Sequence, residues 1–305
     1  EYLALLPTDS LLDLIDTRAL PPRLDRAQVA GVLEAGRDQV ESRARLLRET
    51  GIPVYFTTWL GHSADQIADQ IVEQRTERGI SRFKMKITRD LAADSAKLAR
   101  VRSLVPDDTW IAVDANQTLT LDEAQQWLDH LSAEGFGWLE EPFAADNVPL
   151  FTELVDYKRK HDLSCEVVTG ENCPNTYTAG ALMEAGIDRF QADPCRMMGL
   201  ADATLVTAIG RLTGCAITPH AGGSALDELS PHIQCFNLAR VRGDLDPATS
   251  LTENVGFASR YFAQPTVVKE GRAHVPVEAG LLVGLADDVF ARLRSYKEET
   301  TWLEL

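Results

Sequence analysis

Three acidic residues, Asp114, Glu140 and Glu171, each follow a short run of apolar and β-branched residues. If these runs are parallel strands of one sheet, the three side chains meet at the same end of it. Two carboxylates about 4 Å apart repel by roughly 4 kcal/mol at an effective dielectric of 20, so three together require a cation. Their oxygen ligands, with no Cys or His among them, favour Mg²⁺, or Mn²⁺, over Zn²⁺. Independent surface acids explain any one position, but they explain three matched positions poorly.

Two lysines lie on an earlier run of the same kind. Phe83, Met85 and Ile87 alternate with Lys84 and Lys86, so the lysines share one face of a strand. In a barrel that face looks inward, where an ammonium group is costly unless it meets an anion. A solvent-facing edge strand would give the same alternation, but the acids that end the following runs favour the inward orientation.

Further polar residues end the later runs. Asp193 and His220 end two consecutive runs, and an acid beside a His orients and charges the imidazole. His220 is followed by Ala-Gly-Gly, which leaves room for a ligand, although a lone His is more often structural. Glu253 adds another acid near the last run.

The elements that carry these residues alternate regularly along the chain, which favours a TIM-type (β/α)₇β barrel. A doubly wound sheet is the alternative, but no GxGxxG or Walker motif follows the first run. Thr120 and Glu123 have the spacing of a capping box at a helix start. A single helix is predicted over 26–50. The eight strand-like runs are 54–59, 83–87, 111–116, 138–142, 166–171, 189–194, 216–221 and 250–255, and the seven helical segments between them are 63–78, 91–104, 121–133, 150–160, 176–185, 202–212 and 226–238.

Length and composition bound the remaining possibilities. The chain has 305 residues and a formal net charge of −16, which argues against nucleic acid and anionic membranes as partners. The first residues lack the basic lead of a secretory signal, and no apolar run is long enough to span a bilayer. The five cysteines have no CxxC pair, so we do not expect a disulfide framework or a zinc ribbon. We expect a cytoplasmic location, where thiols stay reduced.

The motifs, taken in order, resemble the enolase superfamily on its mandelate racemase side. They are KMK at 84–86, VDAN at 113–116, LEEP at 139–142, TGEN at 169–172, QADPCR at 191–196 and PHAGG at 219–223. Within that superfamily the chain is most similar to the L-fuconate dehydratase-like acid-sugar dehydratases, through LIDTR at 14–18, GIPVY at 51–55, TTWLG at 57–61 and the same PHAGG at 219–223.

The resemblance implies a role for each candidate residue. Asp114, Glu140 and Glu171 would hold Mg²⁺. Lys86 would take the proton α to the substrate carboxylate, and Lys84 beside it would lower the pKa of Lys86 or contact that carboxylate. His220, paired with Asp193, would be the acid on the opposite face. Glu253, if it carries a proton, would hydrogen-bond the substrate carboxylate or enediolate, and Asn116 would contact substrate or support the site.

The implied activity is dehydration of a sugar acid, L-fuconate or a related aldonate, to a 2-keto-3-deoxy acid. A racemase or epimerase using Lys86 and His220 and a non-catalytic barrel are the alternatives, with a Schiff-base aldolase a weaker one. The resemblance also favours a homo-oligomer and implies an N-terminal α+β capping domain, which we expect to be absent from this chain. The predicted divisions are a helical lead-in segment 1–50, a catalytic barrel 51–262, and a C-terminal segment 263–305 that completes the barrel or packs on a cap domain.

Overall fold

A computed structural model describes residues 2–59, 61–197, 199–223, 226–243, 246, 249–256, 259–276, 284–289 and 291. Eight consecutive strands pair in parallel, each with the next in sequence up to the seventh, and the eighth lies beside the first. These strands are β1 (Ile52–Thr57), β2 (Arg82–Lys86), β3 (Trp110–Asp114), β4 (Trp138–Glu140), β5 (Glu166–Thr169), β6 (Arg189–Phe190), β7 (Ala216–Ile217) and β8 (Thr252–Asn254).

One α-helix connects each of these strands to the next, which confirms the predicted (β/α)₇β order. Four further helices precede β1 in the described part of the chain. The helices are α1 (Tyr2–Leu5), α2 (Thr8–Leu14), α3 (Arg26–Ala35), α4 (Val40–Thr50), α5 (Ala64–Arg78), α6 (Leu91–Arg102), α7 (Leu121–Ala133), α8 (Val148–Lys160), α9 (Thr176–Ala185), α10 (Leu200–Thr213) and α11 (Leu226–Phe236), and a π-helical stretch (Asn237–Arg242) continues α11.

The barrel closes between β7 and β8 by sparse contacts. Among the described residues, one backbone hydrogen bond joins the two strand ends, from Glu253 N to Pro219 O at 3.1 Å. The side-chain amide of Gln234, on α11, adds a bridge to carbonyls on both sides. This sparse closure contrasts with the five paired positions between β2 and β3.

Local sequence signals begin several of these helices. Thr120 caps α7 by accepting a hydrogen bond from Glu123 N, and the Glu123 carboxylate accepts one from Thr120 N. This reciprocal arrangement confirms the predicted capping box. Ser63 and Gln66 form the same box at the start of α5. The two caps fix where α5 and α7 leave the loops that follow β1 and β3.

The single helix expected over 26–50 is wrong. Residue 36 separates α3 from α4, and a short 3₁₀ turn (Arg37–Gln39) lies between them. Gly36 passes so close to the π-helical stretch that a Cβ there would lie 1.6 Å from Arg240 O. The close approach excludes any side chain at 36, and the helical periodicity on either side hides the interruption.

Outside the barrel strands, a hairpin of β9 (Val267–Lys269) and β10 (Arg272–His274) extends the sheet at the start of β1, where β10 pairs antiparallel with Ile52 and Pro53. Of the predicted C-terminal segment, 277–283, 290 and 292–305 lie outside the described residues. All five cysteines lie in the described part of the chain, and none of them is in a disulfide bond. The described helices include none with both the length and the apolar character needed to cross a bilayer.

Candidate active site

The three predicted ligand carboxylates come together at the carboxyl end of the barrel. Asp114 and Glu140 are the last residues of β3 and β4 and pair directly in register, and Glu171 lies two residues beyond β5. All three side chains are buried, and one carboxylate oxygen from each lies within 4.8 Å of the others. Three adjacent parallel strands therefore produce the cluster that the sequence pattern predicts.

Both lysines of β2 point into this cluster. Lys84 is 1% exposed; its ammonium group binds Glu140, lies 3.0 Å from Glu253 Oε1 and lies 3.5 Å from Asp114 Oδ2. Lys86 has 22% of its side chain exposed and places Nζ 2.6 Å from the same Asp114 oxygen. Inward placement of both lysines is the geometry expected from the alternation, and only Lys86 is open to a substrate.

The charges in the cluster shift one another's pKa. Burial alone would lower the pKa of Lys84, but Glu140 and Glu253 raise it well above its usual value. Burial would raise the pKa of Asp114, yet Lys84 and Lys86 lower it. Burial and the other carboxylates raise the pKa of Glu140 although Lys84 opposes them. Lys84 thus does not offset the desolvation of Glu140, whereas Lys84 and Lys86 together offset that of Asp114.

His220 lies between carboxylates at the other side of the cluster. Its Nδ1 is 2.8 Å from Asp193 Oδ2, and its Nε2 is 3.1 Å from Glu171 Oε2 and 3.6 Å from Glu253 Oε2. Burial would lower the pKa of the imidazole, but the charge of Glu253, the hydrogen bond to Asp193 and the charge of Glu171 raise it. In the protonated ring, Nδ1–H would donate to Asp193 and Nε2–H to Glu171, whereas in the neutral ring Nε2 accepts the hydrogen bond from Gly222 N at 3.0 Å.

Glu253 joins the two halves of the site. One oxygen accepts a hydrogen bond from Thr57 and forms an ion pair with Lys84, and the other accepts a hydrogen bond from Ala221 N at 2.8 Å. Burial would raise the pKa of Glu253, but Lys84 and His220 lower it below its usual range. The carboxyl group is therefore ionised in this arrangement, whereas the predicted contact with a substrate carboxylate requires a proton on it.

Asn116 supports a ligand carboxylate. Its backbone N–H donates to Asp114 Oδ1 at 2.8 Å, and its amide lies 3.4 Å from Asp114 Oδ2. Its φ of 44° lies in the left-handed region that Asn tolerates better than most residues. The residue type thus suits both the turn and the hydrogen bond.

Arg196 has no predicted role, although it lies within the QADPCR motif. Its Nη1 is 3.0 Å from Glu171 Oε1 and 3.1 Å from Asn172 Oδ1, and its Nε is 3.5 Å from Asp193 Oδ2. The guanidinium therefore connects a ligand carboxylate with the acid that holds His220. The signal in the sequence that could have indicated this role was a basic residue three positions after Asp193.

Glu141 and Asn172 are a second pair without a predicted role. The Asn172 amide donates to both oxygens of Glu141, at 2.9 and 3.0 Å, and to Glu171 Oε1 at 3.1 Å. Burial and the charge of Glu171 raise the pKa of Glu141 to about 7. The doubled acid in LEEP was the signal: its first member faces the cluster and its second supports the loop after β5.

Trp138 is the third residue without a predicted role. Its indole N–H donates to Glu140 Oε2 at 3.0 Å from two positions earlier on β4. Tyr55 and Trp110 pack edge-on against it in the barrel interior, with ring centroids 5.1 and 4.8 Å away. The indole thus orients one oxygen of Glu140 and leaves the other facing the cluster.

The donor set fits a divalent cation. Two oxygens on one Mg²⁺ at about 2.1 Å can lie at most about 4.2 Å apart, so small rotations bring all three carboxylates onto one ion. Hard oxygen donors supported by Asn116, Trp138 and Asn172 match what Mg²⁺ and Mn²⁺ bind. Among the described residues, Asp114, Glu140 and Glu171 form the one group of at least three acid, His or Cys side chains close enough to share an ion.

Comparison with known proteins agrees with this geometry. Residues 66–289 match the family model described as enolase C-terminal domain-like. Because the match covers more than half of the chain, the protein belongs to this family, and the resemblance to the enolase superfamily is confirmed.

Individual relatives extend the match beyond the family segment. The chain is 27% identical over 299 residues to mitochondrial enolase superfamily member 1 of Bos taurus, covering 97% of this chain and 66% of the relative. It is 28% identical over 278 residues to L-galactonate dehydratase of Hypocrea jecorina, covering 88% of this chain and 60% of that protein. The crystal structure of human mitochondrial enolase superfamily member 1 matches with a TM-score of 0.86 at 25% identity, over 94% of this chain and 65% of that one. The chain spans about two thirds of the length of these relatives, or less.

Proposed function

We propose that this chain is the catalytic barrel of a Mg²⁺-dependent sugar-acid dehydratase. The observation that carries the proposal is the placement of Lys86 and His220 on opposite sides of the carboxylate cluster. Lys86 contacts Asp114 from β2, and His220 contacts Glu171 from the loop after β7. A substrate carboxylate bound at the cluster would have a basic group on one side and an acidic group on the other.

Lys86 is the candidate base. Of the two lysines on this face, it is the one with a partly exposed side chain, while Lys84 is enclosed by carboxylates. The neutral amine would take the proton from the carbon next to the substrate carboxylate. Lys84 would stay charged and help to hold the substrate carboxylate, and Asn116 would support that contact.

His220 is the candidate acid. Elimination breaks the bond between the β-carbon and its hydroxyl group, which leaves as water once it receives a proton. The Nε2 of the imidazolium would supply that proton while Asp193 holds Nδ1. The enol that remains converts to a 2-keto-3-deoxy acid, so the net reaction releases one water.

A divalent cation held by Asp114, Glu140 and Glu171 would stabilise the negative charge that develops on the substrate carboxylate. Glu253 would keep Lys84 and His220 protonated, since it lies within 4 Å of both. Its predicted hydrogen bond to the substrate carboxylate or enediolate remains a proposal that requires proton uptake when substrate binds.

The similarity to L-galactonate dehydratase supports a sugar acid as substrate. L-fuconate and related aldonates are the specific substrates we propose, from the resemblance of the motifs at 14–18 and 51–61. We also propose that the protein is a cytoplasmic homo-oligomer.

A racemase or epimerase is the second candidate, because the same opposed pair, Lys86 and His220, could exchange α-protons without a leaving group. The test incubates the full chain with Mg²⁺ in D₂O and a library of aldonic and aldaric acids. Dehydration gives 2-keto-3-deoxy acids, whereas a racemised or epimerised acid without keto product would establish the alternative.

Variants assign the two roles. We expect Lys86→Ala to abolish both α-deuterium incorporation and dehydration, and His220→Ala to abolish dehydration while some incorporation remains. Lys158→Ala, on α8, and His161→Ala, at the cap that follows α8, are controls of the same residue types and should leave both rates unchanged. If no acid incorporates deuterium and calorimetry detects no Mg²⁺ binding, the barrel is non-catalytic and the proposal fails.

A further inference from the structure

Helix α11 buries a stripe of polar side chains against the barrel. Asp227, Ser230 and Gln234 are spaced three and four residues apart, which places them on one face of the helix, and each is at most 2% exposed. A helix that covers a barrel usually buries an apolar stripe, and a buried polar group is costly unless it is hydrogen-bonded. We call these three residues the polar seam.

Asp227 binds the segment that follows Glu253. Its Oδ1 accepts hydrogen bonds from the Asn254 side chain and from Val255 N, both at 2.9 Å, and its Oδ2 accepts one from Gly256 N at 2.7 Å. Three donors from consecutive residues fix the chain at the carboxyl end of β8. The carboxylate of Glu253 lies immediately before this fixed segment.

Ser230 and Gln234 bind the strand that leads to His220. The Ser230 hydroxyl donates to His220 O. The Gln234 amide donates to Ile217 O at 3.0 Å and to Leu251 O at 2.9 Å, so one side chain spans β7 and the residue before β8. The polar seam therefore adds side-chain contacts at the junction of β7 and β8, where one backbone hydrogen bond joins the described strand ends.

We propose that the polar seam is the positioning element for His220 and Glu253, holding the strand ends that carry them at a fixed separation. The three residues contact the backbone of both strand ends and the side chains of Asn254 and Asn237, so they are positioning residues and not catalytic ones. Lys86 is held instead by Asp114 on β3, and among the described residues no contact links it to the seam. The polar seam thus supports His220 and Glu253 and not Lys86. In its catalytic consequence this inference rests on the proposed dehydratase function.

Because the two halves are held separately, seam variants should change the balance between two steps. Gln234→Met and Ser230→Ala should lower the rate of dehydration about 10- to 100-fold. A catalytic group that is displaced by up to about 1 Å loses rate by such a factor. Deuterium incorporation at the α-carbon, which needs Lys86, should fall far less. Both rates are measured by NMR on the same full-chain sample with Mg²⁺.

Thr207→Val, on α10, is the matched control because Thr207 is equally buried but binds only its own helix, at Thr204 O. We expect it to leave the ratio of dehydration to incorporation unchanged. If Gln234→Met and Ser230→Ala reduce both rates by the same factor, the seam is merely structural and the proposal is overturned.

A second measurement needs no substrate and separates this inference from the proposed function. Asp227→Ala and Gln234→Met should speed backbone amide hydrogen exchange at Glu253, Val255 and Gly256 but not in β2 and β3. An inactive wild-type protein would refute the dehydratase assignment while leaving this measurement decisive for the seam. Unchanged protection of those three amides in both variants overturns the inference.

Discussion

At the scale of single residues, the two lysines of β2 show how neighbours on one face acquire different roles. Both approach the same oxygen of Asp114, yet only Lys84 also meets Glu140 and Glu253. Enclosure by three carboxylates keeps Lys84 charged, whereas Lys86 stays open to the barrel mouth. The difference comes from which strand ends lie opposite each lysine and not from the residue type.

Trp138 gives a prediction at this scale. Trp138→Phe removes the indole N–H that orients Glu140 Oε2 while keeping an aromatic ring in the interior. Loss of such an outer hydrogen bond typically weakens metal binding about 10- to 100-fold, and we expect that loss in Mg²⁺ affinity measured by calorimetry.

Trp110→Phe is the matched control, because Trp110 packs edge-on against Trp138 but donates no hydrogen bond to a ligand carboxylate. It should leave the Mg²⁺ affinity unchanged. Equal weakening by both variants would attribute the effect to aromatic packing and contradict the orienting role of the indole.

The limits of sequence reasoning follow from the distances over which each signal acts. Asp114, Glu140 and Glu171 could be predicted because an acid directly after an apolar run is a local pattern. Arg196 and Trp138 could not be assigned, because their roles depend on approaches between loops or on an orientation inside the barrel. An aromatic residue in a strand reads as core, and Trp138 belongs to the core as well as to the site.

At the scale of elements, the strands supply reacting groups and the helices supply the means of holding them. β2, β3, β4 and β8 each end in or carry a charged side chain of the site, and parallel pairing brings these to one mouth. Repeating strands and helices made the order predictable. The interruption at Gly36 and the polar seam of α11 were not, because each depends on a specific close approach by a distant segment.

The polar seam gives a pH prediction. Burial raises the pKa of Asp227 to about 7 against the hydrogen bonds from Val255 and Gly256, from a usual value of 3.8. The charged groups around it are Glu228 on α11 and Glu253 on β8, which oppose its ionisation, and Arg78 on α5, which favours it. The folded protein thus holds this proton to higher pH than the unfolded chain.

Because the folded protein holds this proton more tightly, its stability falls as the pH rises. Stability from protonated Asp227 is complete below pH 3.8 and is lost as the pH rises to about 7, by up to about 4 kcal/mol. Asn does not ionise, so the Asp227→Asn variant does not undergo this loss. The free energy of unfolding of the variant, relative to that of the wild type, should therefore rise between pH 4 and pH 8. Chemical denaturation at several pH values measures it, and a difference independent of pH would contradict the prediction.

At the scale of the whole molecule, one buried arginine links the first three helices, α1, α2 and α3, to the π-helical stretch that follows α11. Arg240, in the π-helical stretch, is fully buried and donates to Leu33 O, Ala4 O, Leu6 O and the Thr8 hydroxyl. These acceptors belong to α1, α2 and α3 or adjoin them. The lead-in helices therefore depend on a side chain more than 200 residues later in the chain.

Arg240→Met should lower the free energy of unfolding by about 3 to 5 kcal/mol, because it leaves several buried acceptors without a donor. Arg43→Met is the control: Arg43 binds Ala239 O from the surface at 3.3 Å, and its loss should cost less than about 1 kcal/mol. Denaturant unfolding of both variants measures the costs.

Because none of the Arg240 partners lies at the strand ends, the folded fraction of Arg240→Met should keep the wild-type affinity for Mg²⁺. Weakened metal binding at full folding would instead mean that the lead-in helices help to shape the site.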